Sequence, residues 1–240
     1  MDNASYIVLS RQAALSRQID VIANNIANGS TPAFKGESVV FTEYLEKVAG
    51  GPSLSFVQDR GTARNTTEGP LTATNNPLDL AIRGEGYFVV QTARGNRYTR
   101  AGNFSLDAQG RLVTHDGDPV LSTTGTPFTL RPTDGPMTVS RDGVVSAGQR
   151  VLGRLDIVTF ARPQLLQATA GGLYTTTESP TPVAKPDVVQ GMLEGSNVEP
   201  IIEMTRMIEL MRSFKAAQVM LEAEDDRQRR AIATIVSSNA

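Results

Sequence analysis

The side chains able to do chemistry are few and scattered. The single histidine, His115, stands beside Asp116 and Asp118, but a metal site needs several ligands converging from different elements. A solvated turn histidine is the simpler reading. With no cysteine in the chain there is neither thiolate nor disulfide. A serine nucleophile would have to recruit His115 from a distance, and no G-x-S-x-G elbow is present to expose one. Gly84-Glu85-Gly86 holds two glycines of a phosphate loop, yet Val89 occupies the third position and no Gly-Lys-Ser/Thr run occurs. The carboxylates Glu222, Glu224, Asp225 and Asp226 are followed by Arg227, Arg229 and Arg230. Pairs such as Asp225 with Arg229 and Asp226 with Arg230 then make a charged helix face rather than a metal site. No catalytic, metal or cofactor site follows, so enzyme is the least supported class, behind a structural assembly subunit and a secreted binding module.

Amides and apolar side chains carry more information. Asn24, Asn25 and Asn28 crowd the end of a helical pattern, where they either bond local backbone and end the helix or hydrogen-bond between packed subunits. Leu15, Ile19, Ile22 and Ile26 share that helix, spaced four, three and four apart, as coiled-coil core positions are. Near the other end Met204, Met207, Ile208, Met211, Phe214, Ala217 and Leu221 fall along one drifting strip, with Ile232 and Ile235 resuming it later. Burial of each Leu or Ile is worth about 1.5–3 kcal/mol, against about 1–2 kcal/mol for fixing each backbone residue. Such helices therefore become ordered with several neighbours around them. The expected assembly interface is Leu15, Ile19, Ile22, Asn24, Asn25, Ile26, Asn28, Met204, Met207, Ile208, Met211, Phe214 and Leu221.

The elements that would position these residues are read from the punctuation. A first helix over about 6–28 stops at Asn28-Gly29, ahead of Pro32. A second runs from Asn197, read as the N-cap, with Glu199 and Pro200 in its first turn. Between them, turns at 94–96, 108–110, 116–118 and 141–143 separate short strand-like runs of a mainly antiparallel β domain. Tyr87, Phe88, Tyr98 and Phe104 belong to that sheet as core, with stacking on sugar faces as the alternative. The expected organisation is residues 1–35 as N-terminal helix, 36–76 as extended connector with a possible hairpin, 77–177 as β domain, 178–196 as exposed linker and 197–240 as C-terminal helix. The class is α+β.

A chain of 240 residues at net charge −2 has room for a sizeable core and no basic field for nucleic acid. No apolar run reaches the roughly 18 residues of a membrane span, and the N-terminus lacks the basic and uninterrupted apolar regions of a cleaved secretory signal.

Three blocks carry a resemblance: Ala23-Asn24-Asn25-Ile26-Ala27-Asn28 with Thr31-Pro32-Ala33-Phe34-Lys35; residues 76–92 (NPLDLAIRGEGYFVVQT) with 97–121; and residues 193–221 (LEGSNVEPIIEMTRMIELMRSFKAAQVML). Together they resemble the bacterial flagellar rod and hook family. Ala33 departs from the usual glycine of the signature, which argues against a positive-φ turn there. The opening Met1-Asp2-Asn3-Ala4 and the length are most similar to the family's proximal rod member, with the distal rod member as the alternative. The resemblance implies terminal helices that pair into a coiled-coil-like inner domain with the β domain outside. It further implies a hollow helical rod crossing the periplasm, with copies of itself and other rod proteins as partners. Delivery by the flagellar type III export apparatus without a cleaved signal, no nucleic acid, no membrane insertion and no cofactor complete those expectations.

Overall fold

The computed structural model describes residues 2–46 and 54–238. The tip of the expected hairpin, 47–53, lies outside the described residues, as do the side chains of Ile232 and Ile235. The fold is α+β, and two compact units divide the chain: residues 1–27, 37–65 and 199–240 form one, residues 28–36 and 66–198 the other.

The first unit contains helix α1 (Asp2–Ala27), strands β1 (Glu37–Glu46) and β2 (Leu54–Arg64), and helix α2 (Pro200–Ser238). β1 and β2 pair antiparallel from Glu37 opposite Arg64, with a bulge between Val40 and Phe41. α1 packs on α2 and on both strands. Neither helix is long and apolar enough to cross a membrane. α2 begins at Pro200, whose missing N–H costs nothing in a first turn, and the Glu199 carbonyl accepts the N–H groups of Ile202 and Glu203 at 3.0 and 3.1 Å. Asn197 is therefore not the N-cap. Its amide is spent elsewhere: Oδ1 accepts from the Gly36 N–H at 2.8 Å and Nδ2 donates to the Thr67 carbonyl at 2.9 Å.

The second unit is antiparallel β structure. β3 (Leu71–Ala73) and β4 (Leu80–Arg83) pair with Met192–Glu194 and Asp187–Gln190. The stretch 178–196, expected as an exposed linker, thus supplies three strands, the third being Thr181–Pro182 against Val158–Thr159, and the fully buried side chains of Val188 and Glu194. Its sparse apolar content misled because four scattered residues, Pro186, Val188, Glu194 and Ser196, do the burying. β5 (Tyr87–Thr92) and β6 (Gly95–Thr99) form the centre of a six-stranded sheet. A further sheet joins Met137–Val139, Val144–Ala147 and Arg150–Arg154. One face of β5 puts Phe88 and Val90 into a core with Leu80, Leu112, Val120 and Leu155; the other face puts Val89 with Tyr98, Phe160 and Tyr174. Gly102 is dictated by the backbone, because a Cβ there would lie 1.6 Å from the Leu80 carbonyl oxygen.

Candidate functional site

Positions of α2 divide cleanly between two faces. Glu203 and Ala217 are buried and Met207, Leu210, Phe214 and Leu221 half-buried, a set spaced four, three, four, three and four along the helix that packs on α1. Met204, Ile208 and Met211, by contrast, are 51, 52 and 57 % exposed, and Ile201 is 81 % exposed. These four recur at three and four residues and make a second stripe. The single drifting strip read from the sequence therefore merged two faces. Their periods are the same, and only the packing tells them apart.

On α1, Leu15 is buried and Ile19, Ile22 and Ile26 are half-buried, joined by buried Val21. Ile22 and Val21, with Val39 of β1 and Leu210 of α2, floor a cleft of about 380 Å³ that Glu37, Glu203, Arg206 and Glu209 border. The apolar surfaces of this unit are thus partly covered within the chain and partly left open.

The three asparagines take different roles. Asn25 is buried; Nδ2 donates to the Glu37 carbonyl at 2.8 Å and Oδ1 accepts from the Glu37 N–H at 3.0 Å. Nδ2 also lies 3.5 Å from Glu203 Oε2, so this amide ties α1 to the start of β1 and to the first turn of α2. Within the chain Asn25 is thus a fastener, because a buried amide must satisfy its groups where it lies. Asn28 ends the helix: its carbonyl accepts the Thr31 N–H and its Oδ1 the Thr31 hydroxyl, both at 3.1 Å. Asn24 is exposed on α1.

The second unit holds a charged cluster that sequence reasoning did not single out. Glu194, 2 % exposed, accepts at Oε1 from Lys35 Nζ and from the Gly69 N–H at 3.1 Å, and at Oε2 from Arg100 Nε at 2.7 Å. Lys35 donates also to the Thr67 carbonyl at 2.7 Å. Arg100 also donates to the carbonyls of Gly84, Gly86 and Ile82 at 2.8, 2.9 and 3.0 Å and lies 3.5 Å from the Glu68 carboxylate, so the Gly84-Glu85-Gly86 turn presents carbonyls to a guanidinium and cradles no phosphate. Every buried side-chain polar atom among the described residues has a partner. Desolvation pulls the Lys35 ammonium below its usual value, opposed by the Glu194 carboxylate. The signal was present in the sequence: Lys35, Arg100 and Glu194 come one from each of the three blocks quoted above, and the fold brings them to one point.

Ala33 lies beside this cluster with φ 55° and donates its N–H to the Glu194 carbonyl at 2.8 Å. The positive-φ turn exists despite the alanine, which corrects the expectation drawn from its side chain. His115 is exposed in its turn, and among the described residues no group of His, Asp and Glu is arranged to hold a metal. Phe88 and Phe104 stack edge-on at 5.2 Å, while Tyr87 and Tyr98 pack edge-on or tilted against Phe160, a core use of the four aromatics. Asp225 pairs with Arg229 at 2.9 Å and Glu224 with Arg227 at 2.6 Å on the exposed face of α2.

Comparison with known proteins gives a consistent picture. Family models described as "Flagella basal body rod protein", "Flagellar hook protein FlgE/F/G D1 domain" and "Flagellar basal body rod FlgEFG protein C-terminal" match residues 6–35, 81–147 and 189–234. The flagellar basal-body rod protein FlgF of Caulobacter vibrioides is 44 % identical over 97 % of both chains. FlgF of Mesorhizobium japonicum is 33 % identical over the whole of both, and FlgG of Bacillus subtilis 32 % identical over 92 % of this chain and 94 % of its own.

Proposed function

The chain belongs to the flagellar basal-body rod protein family, and on that premise we propose that it works by assembly through its helical unit and has no catalytic role. It is a structural subunit of the rod. The observation that carries the mode of assembly is the open stripe of Ile201, Met204, Ile208 and Met211 on a helix whose opposite apolar face is already packed on α1. Monomeric proteins rarely keep such a contiguous apolar surface without a use.

The finer reading has several parts. α1 and α2 pair as a coiled-coil-like inner domain, a reading supported by the alternating four-and-three spacing of the packed α2 positions. The subunits form a hollow helical shaft that crosses the periplasm and transmits torque. Similarity along the whole chain to proteins named FlgF supports the proximal part of the rod, with the distal rod protein FlgG as the alternative. Delivery is through the flagellar type III apparatus, with no cleaved signal. Copies of the chain and other rod proteins are the partners, contacted through Leu15, Ile19, Ile22, Asn24, Asn25, Ile26, Asn28, Met204, Met207, Ile208, Met211, Phe214 and Leu221. The partly buried members of that set act by shaping the helix pair, and the exposed ones by touching neighbours.

Ile22→Asp, which puts a charge on the cleft floor, tests the reading. Cells making only this variant should export a chain with an intact β unit that is missing from purified basal bodies. Rods containing the variant at the ordinary level would reject assembly through this unit.

A further inference from the structure

The helical unit carries both halves of a contact and cannot bring them together by itself. Its cleft is floored by Ile22, Val39 and Leu210, and α2 contributes Arg206, Glu209, Leu210 and Ser213 to the lining. The open stripe occupies Ile201, Met204, Ile208 and Met211 of the same helix. At about 100° of rotation per residue the two sets point roughly 170° apart around the axis, so a helix that lines the cleft holds its own stripe away from it. Only another molecule can fill the cleft with such a stripe. On the cleft border Glu37 pairs with Arg64 at 3.1 Å and Glu203 with Arg206 at 2.6 Å, so it is Glu209 that offers its carboxylate to the exposed Arg212 and Lys215 flanking the stripe.

Resting on the assembly reading above, we propose that the α2 stripe of one copy docks into the cleft between α1, β1 and α2 of the next copy. Two different patches meet in such a contact, so it is heterologous, and repetition without closure yields an open helical row. The cleft therefore specifies the direction of stacking, and the stripe supplies the apolar area. The occupant is a second copy of this chain, seated through Met204, Ile208 and Met211.

The lack of cysteine gives a clean background for cross-linking. Two full-length variants, Ser38→Cys on the cleft border and Ile208→Cys on the stripe, are co-produced in cells without the unsubstituted chain, and isolated basal bodies are treated with a short bismaleimide. The expected result is a dimer of the two variants, at least tenfold above that from rods holding either variant alone. Ser213→Cys with Met211→Cys provides an independent pair. Adducts between two Ile208→Cys copies, adducts of that position with a different rod protein, or normal rods with no adduct from either pair would overturn the docking. If the unsubstituted chain itself were missing from basal bodies, the assembly reading would fall and take this contact with it.

Discussion

Removing the Glu194 carboxylate is the sharpest perturbation of the second unit. Glu194→Ala leaves Lys35 and Arg100, 4 and 6 % exposed, without their shared anion. Two charge-assisted hydrogen bonds at about 1.5–3 kcal/mol each set a gross loss of roughly 3–6 kcal/mol, with the Gly69 N–H also left open. Part of that is recovered, because Lys35 keeps the Thr67 carbonyl and Arg100 keeps three carbonyls and the Glu68 carboxylate at 3.5 Å. The net cost should be about 3–4 kcal/mol, within the range for breaking a buried pair and a large share of the 5–15 kcal/mol typical of a domain. Lys35→Met should cost only about 1–2 kcal/mol, since Glu194 retains Arg100 and Gly69 and no anion is stranded. Urea titration followed by near-ultraviolet circular dichroism is the assay. The chain has no tryptophan, and three of its five tyrosines, Tyr87, Tyr98 and Tyr174, lie in the β unit. A loss under about 1 kcal/mol for Glu194→Ala, or a larger loss for Lys35→Met, would refute the view that the carboxylate is the hub.

Three further expectations concern single positions. Ala33→Gly should raise the stability of the β unit by up to about 1 kcal/mol, because φ 55° strains an alanine and not a glycine; a drop in the same titration would show that packing of the methyl outweighs the strain. Asn25→Ala should cost the helical unit about 1–3 kcal/mol by stranding the Glu37 backbone, read as earlier loss of far-ultraviolet helix signal on heating, and an unchanged melt would contradict it. Burial raises the Asp156 carboxyl above its ordinary value of 3.8. For a carboxyl raised on folding, the stabilising contribution is full below 3.8 and is lost as pH rises through the folded value. Asp156→Asn should therefore stabilise the protein at neutral pH, with the gain vanishing on acidification below 3.8, and urea midpoints measured at several pH values would expose a flat difference if this is wrong.

Much of the β unit was legible because its turns are marked by glycine with polar neighbours and its strands by short apolar runs. Tyr87–Thr92 ends just before the turn read at 94–96, and Val144–Ala147 starts directly after the turn read at 141–143. The strands at Asp187–Gln190 and Met192–Glu194 escaped notice because their pairing partners, β4 and β3, are more than a hundred residues away and Pro-Thr text precedes them. Local pattern carries no information about such distant pairing. The helices were visible from their periodicity, but periodicity does not say which of two apolar stripes is covered, so Met204 and Phe214 were placed on one face. Asn25 and Asn197 illustrate the same limit: each is a good helix-terminal residue by type, and each is committed to backbone brought near by the tertiary fold. The ion cluster was hidden for a related reason, since single charges in separate blocks look like surface until the chain closes on them.

The central claim is that the α2 stripe, open in the single chain, becomes covered in the rod. Met211→Cys places the only thiol of the molecule on that stripe, and its rate of reaction with a water-soluble maleimide can be compared between purified monomer and isolated basal bodies. The account predicts rapid labelling of the monomer and at least tenfold slower labelling in the rod. Equal rates in the two states would contradict it.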